Sequence, residues 1–232
     1  MSVSEGLGPK THSIMVLDHG YVRLVDSMGT DLSIVRAARV SYDAAWRAGK
    51  DTGSDEKLIR YLWKHRHTSP FEAVEFQFEV YAPIFVIRQW QRHRTWSYNE
   101  LSGRYRELPE QFYLPEAGKI GEQATDNKQG RIAAVRPGAA YELGLANQHC
   151  EQAFRVYKSL IEEGWPRELA RMVLPLNTYT HMFAKVDLLN LLHFLTARLH
   201  EHAQYEIRVY AEALCTLAKT ITPIALSAWE DG

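Results

Sequence analysis

Apolar positions along the chain alternate between two spacings, and each spacing predicts an element. From Val74 to Val80 apolar and polar residues alternate strictly, the period of a half-buried strand. Residues 14–25 read as two short strands around a turn at Asp18-His19-Gly20. Asp31 predicts the cap of a helix through Val40, with Ile34, Val35, Ala38 and Val40 inward. Residues 44–53 read as a loop. A second helix runs from a Ser54 cap to about His65, with an apolar stripe of Leu58, Ile59, Leu62 and Trp63. Ser69, Pro70 and Glu72 form a helix-start pattern, necessarily short because the alternating strand follows at once. Pro83 ends that strand and opens a helix to about His93, on which Arg88 and Arg92 share a face, as do Gln89 and His93.

Residues 95–105 read as a loop, with a strand near 111–114. Residues 116–138 combine four glycines and a proline with few apolar anchors, which predicts a mobile surface loop. The remainder reads as helical. Helices are predicted over about 139–163, stopped by Gly164, and from Pro166 to Val173. Another begins at Asp187 with Leu188, Leu191, Leu192, Leu195 and Leu199 inward, and a last one covers roughly 203–221, ending at Pro223. These elements predict an α+β fold. After a flexible tail over 1–13, one domain with a mixed sheet and a helix-rich C-terminal half fills 14–232.

Composition narrows the class. With 46% apolar and 24% charged residues, the 232-residue chain can bury a core, which excludes wholesale disorder. No apolar run approaches the ~20 residues that span a bilayer, and the N-terminus lacks the basic and apolar regions of a secretory signal. Two cysteines, Cys150 and Cys215, make no disulfide framework. A cytoplasmic protein with reduced thiols and no membrane partner is expected.

The net charge of −1 conceals a local excess. Between Arg88 and Arg106 stand Arg88, Arg92, Arg94, Arg104 and Arg106, opposed only by Glu100. Guanidinium forks match phosphate and carboxylate oxygens, and Ser102-Gly103 offers a hydroxyl and a backbone open to close approach. Trp90, Trp96, Tyr98 and Tyr105 provide flat faces for a base or an isoalloxazine ring. An anionic-ligand site, a solvated basic helix end and an RNA-binding surface all fit this stretch. Arg171 and Arg198 stand among apolar neighbours and call for an anionic partner, or for a salt bridge or a route to solvent.

The histidines do not read as a metal site. His65, His67, His193, His200 and His202 lack ligand spacing, and no His-Glu-x-x-His occurs, so no metal is expected. Cys150 beside His149 resembles a nucleophile and base, but adjacent helical residues point about 100° apart, so both cysteines read as core. No Rossmann or Walker loop is present. A flavin or nucleotide would need another architecture.

Arg92-His93-Arg94, seven residues and then Ser102 make an RHR-x7-S pattern, and the run from Arg92 to Tyr105 resembles the signature of flavin-dependent thymidylate synthases. Further stretches resemble that family in order. They are Ala37–Ser41, His67 with Ser69–Glu72, Ala82–Trp90, Pro166–Pro175 and His202–Ile207.

The resemblance implies a homotetramer with active sites at subunit interfaces and no nucleic-acid partner. It implies dTMP formation from dUMP, with methylenetetrahydrofolate as carbon donor, FAD as hydride carrier and NADPH as reductant. It places His67, Ser69, Arg92, His93, Arg94, Glu100, Asp187, Leu188, Leu189 and His193 at FAD. Leu189 stands where relatives often carry a polar or basic residue. It places Gln89, Trp90, Gln91, Arg92, Glu100, Leu101, Ser102, Gly103, Arg104, Arg171 and Arg198 at dUMP, with Arg198 as the catalytic residue that polarises the pyrimidine through N3 and O4.

Overall fold

The computed structural model describes residues 13–126, 130–134 and 136–232. One antiparallel sheet organises the backbone. Its strands are β1 (Ser13–Val16), β2 (Gly20–Met28), β3 (Glu75–Pro83), β4 (Ser97–Glu100) and β7 (Tyr179–Asp187), in the spatial order β1-β2-β3-β7-β4. A separate two-residue pair, β5 (Glu122–Gln123) and β6 (Arg131–Ile132), lies within 116–138. Residues 127–129 and 135 of that stretch lie outside the described residues, as does the expected tail except Ser13.

Alternation on β3 determines what the sheet covers. Phe76, Phe78, Val80 and Ala82 are fully buried beside Val186, Ala184, Met182 and Thr180 of β7. The helices α1 (Asp31–Arg39), α2 (Thr52–Lys64), α3 (Ile84–Trp90), α6 (Leu188–Arg198), α7 (Tyr205–Lys219) and α8 (Pro223–Glu230) contribute to this core. On the opposite face Glu79 is buried all the same. It accepts hydrogen bonds from Tyr21 Oη (2.8 Å) and Arg23, and its Oε1 lies 2.6 Å from His181 Nε2. A smaller cluster forms where Phe154 and Tyr157 of α4 (Ala139–Glu162) meet Ala170 of α5 (Arg167–Ala170).

The structure corrects several expectations. The segment after Pro175 is not helical, because β7 occupies the interior of the sheet. Residues 95–105 are not all loop, since β4 pairs with β7 at the sheet edge. Residues 111–114 form only a bridge between Phe112 and Thr178. Val40 is exposed, beyond the last turn of α1. Asp51, not Ser54, caps α2, with its carboxylate accepting from Ser54 N at 3.0 Å. At residues 69–73 a 3-10 turn forms, and no side chain caps it. Pro223 does not end the helical region. It occupies the first position of α8, where its missing N–H costs nothing.

The cap of α1 is Thr30, in a reciprocal box with Ser33. Asp31 is thereby free to turn inward, where its carboxylate accepts from Ile224 N and Ala225 N, both at 3.0 Å. It caps α8 from a distant part of the chain. Among the described residues no helix is long and apolar enough to cross a membrane. Replacing Asp31 with Ala should leave two α8 amides without acceptors and cost about 1–3 kcal/mol, read from the shift in urea midpoint at constant slope.

Candidate active site

The RHR segment follows α3, whose exit is pinned by Tyr98 on β4. Its hydroxyl donates to Trp90 O (3.2 Å) and His93 O (2.8 Å). The rings of Trp90 and Trp96 are buried. Trp90 is wholly buried against Phe194 (5.0 Å between centroids) and Trp96 (5.6 Å). The expected stacking surface is therefore mostly core, with only Tyr105 well exposed. An interleaved arginine–aromatic RNA surface loses its aromatic half for the same reason.

His93 lies edge-on to Phe194 at 4.7 Å and meets the end of α6. Arg198 Nε donates to His93 Nε2 at 3.0 Å. A guanidinium has no acceptor, so His93 Nε2 must be unprotonated and its proton must sit on Nδ1. Burial, and then the Arg198 charge, push the His93 imidazole down to about 4. Burial, and then Arg92, lower the Arg198 guanidinium without discharging it. Among the described residues Arg92, Arg94 and Arg198 have no carboxylate partner. Like charges crowded without a counter-ion make a site for an anion.

Beside this cluster, Gln91 Nε2 donates to Glu100 Oε2 at 3.2 Å, and buried Thr180 donates to Glu100 Oε1 at 3.0 Å. Leu101 N donates to His181 O at 2.7 Å, which continues the β4–β7 edge into the next loop. Ser102 Oγ accepts from Arg104 N at 3.3 Å. Gly103 is buried, and a Cβ there would lie 3.1 Å from Arg171 Cδ, so a larger residue would push that side chain back by a few tenths of an ångström. Arg104 pairs with Glu168 at 3.3 Å. Arg171 is thus brought to the 100–104 loop, as its pairing with that loop required.

Helix α2 ends with His67 N bonded to Leu62 O (2.9 Å) and Arg66 in the left-handed region at φ 61°. That position favours glycine, and an arginine there costs roughly 1–2 kcal/mol. The reversal leaves His67 exposed and stacked against Tyr61, with Ser69 exposed nearby. The strand start that follows adjoins α6, because Val74 O accepts from Leu188 N at 2.8 Å. Asp187 caps α6 through Asn190 N (2.9 Å). Leu188 and Leu189 are buried in the core, and His193 is exposed. Among the described residues, neither His67 nor His193 bonds to the arginine cluster within one chain.

Cys150 is buried beside Asn177 Nδ2 (3.4 Å), and burial raises the Cys215 thiol, which is therefore not prepared as a thiolate. Three residues that touch this region were not singled out from the sequence: Thr180, Gln204 and Glu206. The last two lie in the His202–Ile207 stretch whose family resemblance was the available signal. Gln89 Nε2 donates to Gln204 Oε1.

Over residues 23–224 the chain matches the family model for thymidylate synthase complementing protein. It is 52% identical over 224 residues to a flavin-dependent thymidylate synthase of Thermus thermophilus, covering 97% of this chain and 80% of the relative. The chain belongs to the flavin-dependent thymidylate synthase family. Another family member, from Dictyostelium discoideum, is 44% identical over 232 residues, covering 97% of this chain and 76% of that one. The solved UMP/dUMP methylase PolB of Streptomyces cacaoi, bound with 5-Br dUMP, is 38% identical with a TM-score of 0.84. That alignment covers 94% of this chain and 97% of PolB. The RHR segment, its partner Arg198 and the 100–104 loop all fall within the span matched by the family model.

The low imidazole value has a consequence for stability. Between the folded value of about 4 and the ordinary 6.5, the unfolded chain binds a proton at His93 that the native chain refuses. This contribution is complete above about pH 6.5 and is lost as pH falls toward about 4. Replacing His93 with Gln should reduce the drop in urea midpoint between about pH 7 and about pH 5.

Proposed function

We propose that the chain reductively methylates dUMP to dTMP, with FAD as hydride carrier, methylenetetrahydrofolate as carbon donor and NADPH as reductant. The observation that carries this reading is the contact of neutral His93 with Arg198, beside Arg92, in a cluster that has no carboxylate counter-ion among the described residues. The residues fit a flavin dinucleotide. Guanidinium groups without a carboxylate partner among the described residues suit a pyrophosphate, and His67, Ser69 and the neutral imidazole of His93 add hydrogen-bonding groups. When bound, the flavin supplies hydride chemistry that no side chain of the chain can provide.

The other steps belong to the chain's own residues. Ser102, Arg104 and Arg171 would hold the dUMP phosphate, on a loop whose Gly103 lies beside Arg171. Because His93 occupies the Nε–H of Arg198, the two terminal nitrogens of that guanidinium remain available to the pyrimidine. A fixed cation at that position favours negative charge building on N3 and O4 as C5 and C6 react. Binding of 5-Br dUMP by the structural relative PolB supports a uridylate in this site. No cysteine nucleophile is needed, in keeping with the burial of Cys150 and the raised Cys215 thiol.

The assembly we propose is a cytoplasmic homotetramer with active sites shared between subunits. Among the described residues neither His67 nor His193 bonds to the cationic cluster, which supports sites completed across an interface. Light scattering on the purified protein should give the mass of four chains.

Purified protein should show a flavin absorption spectrum and release tritium from 5-tritiated dUMP only with NADPH and the folate. A protein that stays colourless after incubation with FAD would overturn the assignment. Arg198→Ala should retain the flavin spectrum and lose roughly 10²-fold or more in kcat. Cys150→Ala and Cys215→Ala should each keep turnover within about twofold of the parent.

A further inference from the structure

Behind Gln89 a row of hydrogen bonds runs into the core. Gln89 Nε2 donates to Gln204 Oε1, and Gln204 Nε2 donates to Glu206 Oε2 at 2.8 Å. Glu206 is only 2% exposed, and its Oε1 accepts from Tyr113 Oη (3.2 Å) and Arg131 Nη2 (3.0 Å). Arg131 supplies the counter-charge to this carboxylate in an ion pair of 3.0 Å. Burial, and then Glu206, raise the Tyr113 hydroxyl, so it remains a donor.

The direction of the row follows from chemistry. An ionised carboxylate accepts only, so Gln204 must turn its NH2 to Glu206 and its carbonyl to Gln89. Gln89 must then donate its NH2 backward and keep its carbonyl oxygen outward. We propose that Glu206 is a positioning residue that acts through Gln204 to present the Gln89 carbonyl, an acceptor, to an N–H or O–H of dUMP. This rests on the reading of Gln89 as a dUMP contact. It also means that Gln89 addresses the base or sugar and not the phosphate, which has only acceptors.

A charge-conserving exchange tests the direction of the row. In Glu206→Gln the new amide keeps its oxygen for Tyr113 and Arg131 and turns its NH2 to Gln204. Gln204 reverses, and Gln89 then points its NH2 outward. In the single substitution Gln89→Glu, the new carboxylate would face the Gln204 carbonyl. When Gln89→Glu and Glu206→Gln are combined, the reversed Gln204 donates to that carboxylate, whose second oxygen restores the outward acceptor.

The measurement is the dUMP dissociation constant of the flavin-loaded enzyme by calorimetry, with the flavin spectrum and melting curve of each variant recorded alongside. Each single substitution should weaken dUMP about tenfold, and the double variant should return to within about threefold of the parent. Parent-like affinity in Glu206→Gln overturns the proposal, as does a folded double variant no tighter than the weaker single one. Gln204→Met breaks the row while leaving Glu206, Arg131 and Tyr113 in place, so it applies even where Glu206→Gln does not fold. It too should weaken dUMP several-fold, and unchanged affinity overturns the proposal. Gln89→Ala separates the two readings. Unchanged affinity there removes Gln89 from the dUMP site and the proposal with it, whereas weakened affinity with a parent-like Glu206→Gln overturns the row alone.

Discussion

The antiparallel pairing of β3 with β7, unbroken from Glu75–Asp187 to Pro83–Tyr179, sets the dimensions of the molecule. Each strand leads directly into a helix, and the two helices start at opposite ends of the ladder. Eight strand steps span about 27 Å. The eleven residues of α6 run back about 16 Å, and the seven of α3 about 10 Å. Two helices returning from opposite ends therefore meet near the middle, where Arg198 reaches His93. The contact at the heart of the candidate site is thus a consequence of strand length and register.

That meeting point combines burial with unbalanced positive charge. Apolar packing of Trp90, Trp96 and Phe194 lowers the local polarity beneath the arginines. Lower polarity keeps His93 neutral, and a neutral imidazole can accept from a guanidinium where a charged one would repel it. The aromatic residues act from below, on protonation and position. They are part of the site's chemistry from within the core.

Much of this was legible in the sequence. The strict alternation at Val74–Val80 gave β3, the leucine spacing after Asp187 gave α6, and Gly164 marked the end of α4. The RHR-x7-S spacing located the charged segment. What escaped has physical causes. β7 carries Tyr179 and Phe183 on one face and Met182, Ala184 and Val186 on the other, so apolar residues on both faces blur the period of two even though Tyr, Thr, Phe and Val favour strands. Asp31 looked like a local cap, whereas its partners lie at Ile224 and Ala225. The Gln89–Gln204 bond and the Thr180–Glu100 bond likewise join residues far apart in the chain. Ring faces were visible as residue types, but their burial was decided only by tertiary packing.

The loop from Glu100 to Arg104 hangs from β4, a strand of four residues bonded on one side only. Short edge strands as a class open locally more readily than the interior strands of a sheet. A ligand held by both the loop and α6 would fasten that edge to the core. The local opening equilibrium would then become part of the binding free energy, and a change in strand pairing far from any reacting atom could alter how tightly a nucleotide is held.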